Sequence, residues 1–129
     1  MPNLLNMLLL VHFVLASLVA ALAMFLPQLL ARIGTFDPML VLKPMAMAYG
    51  RLFGVALVGI AVLLWGARIS GSSPARRLTI QVMFFHLGVG IVLSAFLTVP
   101  LLTKVIALVL FSLLFLAYGY IWLYRPSEI

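Results

Sequence analysis

Three side chains in this sequence can do chemistry inside runs that are otherwise apolar: His12, Arg51 and His86. Ionisable groups are expensive to hold within a bilayer, which makes them functional candidates wherever they interrupt such runs. A neutral imidazole can accept or donate a proton, or ligate a metal. A guanidinium stays charged and offers a two-pronged donor face. Tyr49 and Ser94 can add hydroxyls to the same neighbourhood. The five residues suit the headgroup of a hydrophobic small molecule such as a quinone, with Arg51 on an oxygen and a histidine handling the proton. Two imidazoles at matched depth can also flank a haem iron. The plainer account gives each histidine one hydrogen bond to a hydroxyl or carbonyl on the next helix, a common and modest interaction in membrane bundles.

Positioning these groups requires helices, and the sequence supplies four. The chain has 129 residues, 67% hydrophobic and only 8% charged, too little polar surface to cover a soluble domain. The apolar residues fall into four runs, about 4–26, 44–66, 78–98 and 101–123, each close to the 20 or so residues that cross a bilayer. The expected fold is all-α, a single transmembrane domain (1–129) forming a four-helix up-down bundle with almost nothing outside the membrane. The first run contains Ala21-Leu22-Ala23, which resembles a processing site, but no Lys or Arg precedes it, so a retained helix is expected. Pro27 closes or kinks that helix, with Gly34 as a cap further on. Asp37-Pro38 reads as the start of a short helical turn to Lys43. Pro44 opens the second membrane helix, which ends near Trp65-Gly66. Ser73 caps a third starting at Pro74, and Thr98-Val99-Pro100 forces a tight hairpin into the fourth.

Helix direction sets the depths. Helices one and three run parallel, so His12 and His86 both lie roughly 12–14 Å from one face, at 1.5 Å per residue. Arg51 enters from the other face, about 11 Å beyond Lys43. In an apolar slab of about 30 Å the three are expected to meet at mid-depth. His12 shares a face with Ala16, Ala20 and Ala23, and His86 with Gly90 and Ser94, so both are expected to point into the bundle. Ala46, Gly50 and Gly54 recur every four residues on helix two, with Gly59 further along. Such a stripe lets another helix approach closely, and helix two is expected to be the most contacted. Arg51 is expected to lean inward beside it. Arg51→Leu should then damage function or assembly, and Arg51→Lys should restore it only in part.

Other chemistries are excluded or weakened. The absence of cysteine removes disulfides, thiol redox chemistry and Cys-ligated clusters. Neither acidic residue, Asp37 or Glu128, lies in an apolar run, as a proton-coupled cation exporter would require. The seven methionines show no ligand spacing and read as soft packing. Gly88-Val89-Gly90 lies mid-helix and is no phosphate loop. Phe84-Phe85 reads as lipid-facing filler. A haem is disfavoured because helices one and three sit on a diagonal. The net charge of +6 comes mostly from residues at the ends of apolar runs, so it orients helices and implies no nucleic acid. Arg68, Arg76, Arg77 and Arg125 fall on the side of the termini, against Arg32, Lys43 and Lys104 on the other. That favours both termini in the cytoplasm. The aromatic end of helix four, with Tyr118, Tyr120, Trp122 and Tyr124, reads as an interfacial belt.

A first helix ending in a proline, then Arg51-Leu52-Phe53-Gly54 with a later Gly59, resembles the DoxX-like group of small four-helix bacterial membrane proteins. His86 in helix three and Ala117-Tyr118-Gly119-Tyr120 at the end of helix four fit the same pattern. The resemblance implies a bundle in the bacterial inner membrane, and relatives associated with thiosulfate:quinone oxidation or with oxidoreductase assemblies. It transfers no catalytic residue. The functional expectation is therefore a non-catalytic subunit or accessory of a larger membrane assembly, with lipid and other membrane subunits or copies of itself as partners. The alternative is a site for a quinone-like or lipid ligand at His12, Arg51 and His86.

Overall fold

The computed structural model describes residues 3–33, 37, 39, 43–96 and 99–129. The chain is all-α, with helices α1 (Leu4–Phe25), α2 (Pro27–Ile33), α3 (Pro44–Ile69), α4 (Pro74–Phe96) and α5 (Leu101–Tyr124), then a 3-10 turn at Pro126–Glu128. The four longest helices are long and apolar enough to cross a membrane, so this is a multi-pass membrane protein. Among the described residues there are no strands.

The helix ends follow from local chemistry. Asn3 accepts the Leu5 N–H with its side chain at 2.9 Å and so starts α1. Pro27 has no N–H to continue the ladder, so α1 stops at Phe25 and α2 sets off anew. The second membrane helix runs past Gly66 to Ile69. Its stop is Gly71, which adopts a φ of 62°, the left-handed conformation that closes a helix and suits glycine. Ser73 Oγ accepts the Arg76 N–H at 3.2 Å, capping α4 at Pro74. The Gly34 cap and most of the expected turn from 38 to 43 lie outside the described residues, as do residues 97 and 98 of the α4–α5 link. Asp37 Oδ1 does accept the Met39 N–H at 2.9 Å.

The helices pair as two antiparallel hairpins. In the first, α1 packs along α3. Gly54 is the point of closest approach: a Cβ there would stand 2.5 Å from Met24 Cγ and 3.1 Å from the Ala20 carbonyl oxygen. In the second hairpin, α4 and α5 exchange glycines and phenylalanines. Phe115 covers Gly88, Phe111 covers Gly90 and Phe84 covers Gly119, at 3.0–3.2 Å from where each Cβ would be. Phe84 is thus no lipid-facing filler: its ring stacks on Phe115 at 4.2 Å and meets Trp122 at 5.4 Å. Phe85 is the exposed one of the pair.

The hairpins join at one end. A single buried cluster draws Leu5, Leu9 and Ala16 from α1, Ala61 and Leu64 from α3, Ile80, Met83 and Leu87 from α4, and Leu114, Tyr118 and Ile121 from α5. Along α1 this covers Leu5 to Ala16, roughly 17 Å of rise, all in the half that carries the termini. Toward the other end the buried residues Ala20, Ala23 and Gly54 pack within the first hairpin alone. The most enclosed helix is α1 and not α3: 28% of its most apolar window is buried, against 22% for α3 and 11% for α5. The reason is that α1 touches α2, α3 and α5.

Candidate functional site: a polar pin between two hairpins

His12 sits on the buried stripe Leu5, Leu9, His12, Ala16, Ala20 and Ala23 of α1. Small residues follow it along that stripe, so neighbouring helices come close. Its Nδ1 lies 3.0 Å from the Tyr118 hydroxyl of α5, with the ring centroids 5.7 Å apart. Either neutral tautomer makes the bond: the phenol donates to a bare Nδ1, or an Nδ1–H donates to the phenol oxygen. His12 is 8% exposed and Tyr118 fully buried, so Nδ1 and the phenol satisfy one another inside apolar surroundings, as burial demands. This is the hydrogen bond to a neighbouring helix that the plainer account of the histidines describes.

Tyr118 is the residue that sequence reasoning missed. The sequence groups it with Tyr120, Trp122 and Tyr124 as interfacial, and Tyr120 and Tyr124 are indeed exposed. Tyr118 instead shares a helical face with Leu114 and Ile121, both buried. The signal was in the spacing. It lies seven residues before Arg125, and His12 eight beyond Leu4, so both stand roughly 10–12 Å from the same end.

The other predicted residues scatter. His86 is exposed on α4. Ser94 is buried, 5% exposed, two turns further along α4 from His86. Gly90, between them, seats Phe111. Tyr49 is 65% exposed and Gly59 is exposed, while Ala46 and Gly50 are half-buried. Open space surrounds any Cβ built at Gly50 or Gly59, so of the stripe only Gly54 makes a close helix approach.

Arg51 does not join the histidines. It is exposed and lines a cavity of about 450 Å³ with Met24, Leu26, Gln28, Arg32 and Met47. Because Gly54 faces Ala20 to Met24, Arg51 stands level with the last residues of α1. From His12 to Phe25 is thirteen residues, roughly 20 Å. The expected convergence fails because α3 begins well beyond the end of α1, as the level of Gly54 beside Ala20 to Met24 requires. Depth counted from Lys43 therefore overstates how far Arg51 penetrates.

Among the described residues no three His, Asp or Glu side chains gather as metal ligands would. At the terminus-bearing end, Ser72, Ser73, Arg77, Trp122 and Ile129 border a second cavity of about 460 Å³, where Ser72 Oγ donates to the Ile129 carbonyl at 3.1 Å. Comparison with protein-family models, with curated proteins and with solved structures found no match.

Proposed function

We propose that this protein is a small non-catalytic subunit or accessory of a larger membrane assembly, built to present helix surface to another membrane chain. The observation that carries this reading is the one-ended core. Among the described residues the hairpins bury one another over the terminus-bearing half, and α5 keeps all but 11% of its most apolar window unburied. The one buried histidine is engaged with Tyr118, which supports a structural role for it in locking the hairpins together. Within lipid, apolar burial drives little association, so close packing and polar pins of this sort hold helices in register. The resemblance to DoxX-like proteins agrees with a place in the bacterial inner membrane. The arginines at 68, 76 and 77, grouped around one loop, support cytoplasmic termini, although Arg51 at the opposite interface evens the overall count. Purification in mild detergent followed by mass spectrometry tests the reading. A co-purifying membrane protein, or a stoichiometric self-assembly, is expected; a lone monomer overturns it.

A second reading draws on His86, which is exposed on α4 and so accessible to a quinone-like molecule from the lipid. Extraction of the purified protein followed by mass spectrometry should then release a stoichiometric quinone, and its absence would remove this reading. An absorption spectrum with a Soret band would redirect it to haem.

A further inference from the structure

We propose that the junction of α1, α2 and α3 is a binding site for an anionic phospholipid, whose headgroup is held by Arg32 and Arg51 and whose acyl chain lies on the apolar floor between them. The site is independent of the assembly reading and stands at the opposite end of α1 from the histidine pin. Its shape comes from Pro27, which ends the α1 ladder. The short helix α2 departs from the α1 axis and leaves a cavity of about 450 Å³ against α3, within the range of small-ligand sites. Two guanidiniums, Arg32 and Arg51, border that one cavity together with the Gln28 side chain. Met24, Leu26 and Met47 supply its apolar wall.

The charge is uncompensated from within. Neither arginine makes a hydrogen bond or ion pair among the described residues. The chain has only two acidic residues. Asp37 accepts the Met39 N–H and pairs with neither arginine among the described residues, and Glu128 belongs to the far end of the bundle. Two like charges bordering one cavity call for a shared anion from outside. Guanidiniums take phosphate oxygens in a forked geometry that a lysine does not match. At the level where α1 ends, such an anion is a lipid phosphate, and methionine with leucine beneath it accommodates a flexible chain. A zwitterionic headgroup brings its own cation into a doubly positive cavity, so the site selects net-anionic lipid.

Native mass spectrometry from nanodiscs of phosphatidylcholine doped with phosphatidylglycerol tests this on the full chain. The wild type is expected to retain phosphatidylglycerol over phosphatidylcholine. Occupancy should fall roughly fivefold for each arginine removed in Arg32→Gln and Arg51→Gln, given the usual attraction of one basic residue for anionic lipid. Arg77→Gln, an exposed arginine on the other face with the same change in net charge, should leave occupancy unchanged. Equal retention of both lipids, an equal loss in Arg77→Gln, or displacement by excess inorganic phosphate would each overturn the proposal. Should the doubly substituted chain fail to fold, the single Arg32→Gln variant on the short helix α2 decides it.

Discussion

At the scale of single residues, the contrast is between His12 and Arg51. Both are ionisable groups in apolar runs, and the sequence puts them in one pocket. The structure separates them into a buried partner and an interfacial cation. What was legible was that His12 faces protein, because Ala16, Ala20 and Ala23 continue its stripe. What was not legible was the identity of its partner, since a tyrosine among four aromatics at a helix end looks like an anchor. If the pin holds the hairpins, a double-mutant cycle with His12→Ala and Tyr118→Phe, followed by unfolding in detergent, should give a coupling of about 0.6 kcal/mol, with about 1.7 as the upper end. Additive effects would show that the two groups are merely adjacent. Arg51, by contrast, makes no polar bond to another helix among the described residues. Arg51→Leu should therefore leave unfolding in neutral detergent within about 0.5 kcal/mol of wild type. A loss of several kcal/mol would restore the inward, bonded arginine.

At the scale of helices, the glycines divide by what approaches them. The stripe Ala46, Gly50, Gly54 was readable from its four-residue spacing, but spacing cannot tell where along it the neighbour touches. That depends on how far α3 overshoots α1. Among the described glycines, Gly54 alone meets a backbone carbonyl at close range. Gly54→Val should destabilise the protein by about 1–3 kcal/mol through overpacking, read as a lower midpoint of thermal unfolding. Gly59→Val, in open space, should be neutral within about 0.5 kcal/mol. Equal effects at the two positions would contradict the assigned approach. In the second hairpin, the glycines of α4 and α5 each take a phenylalanine from the other helix. That reciprocity was invisible in the sequence because Phe84 and Phe85 are adjacent and only the 100° turn between them decides which one packs.

At the scale of the molecule, four apolar runs separated by proline and glycine signals made the all-α membrane architecture readable at once. The one-ended core was not readable, because every run is apolar all round and hydropathy does not distinguish lipid from protein as a neighbour. The account turns on that asymmetry. The absence of cysteine and the scale of the bundle leave many neutral positions for a photo-crosslinking amino acid. Leu18, Val55, Val92 and Val109 are exposed in the open half. Val11, Leu63, Phe85 and Leu116 are exposed in the closed half. Irradiation in native membranes should yield a discrete protein adduct from at least one open-half position, with closed-half positions giving only lipid. Lipid adducts alone from all four open-half positions would contradict the claim that this bundle is built to receive another membrane chain.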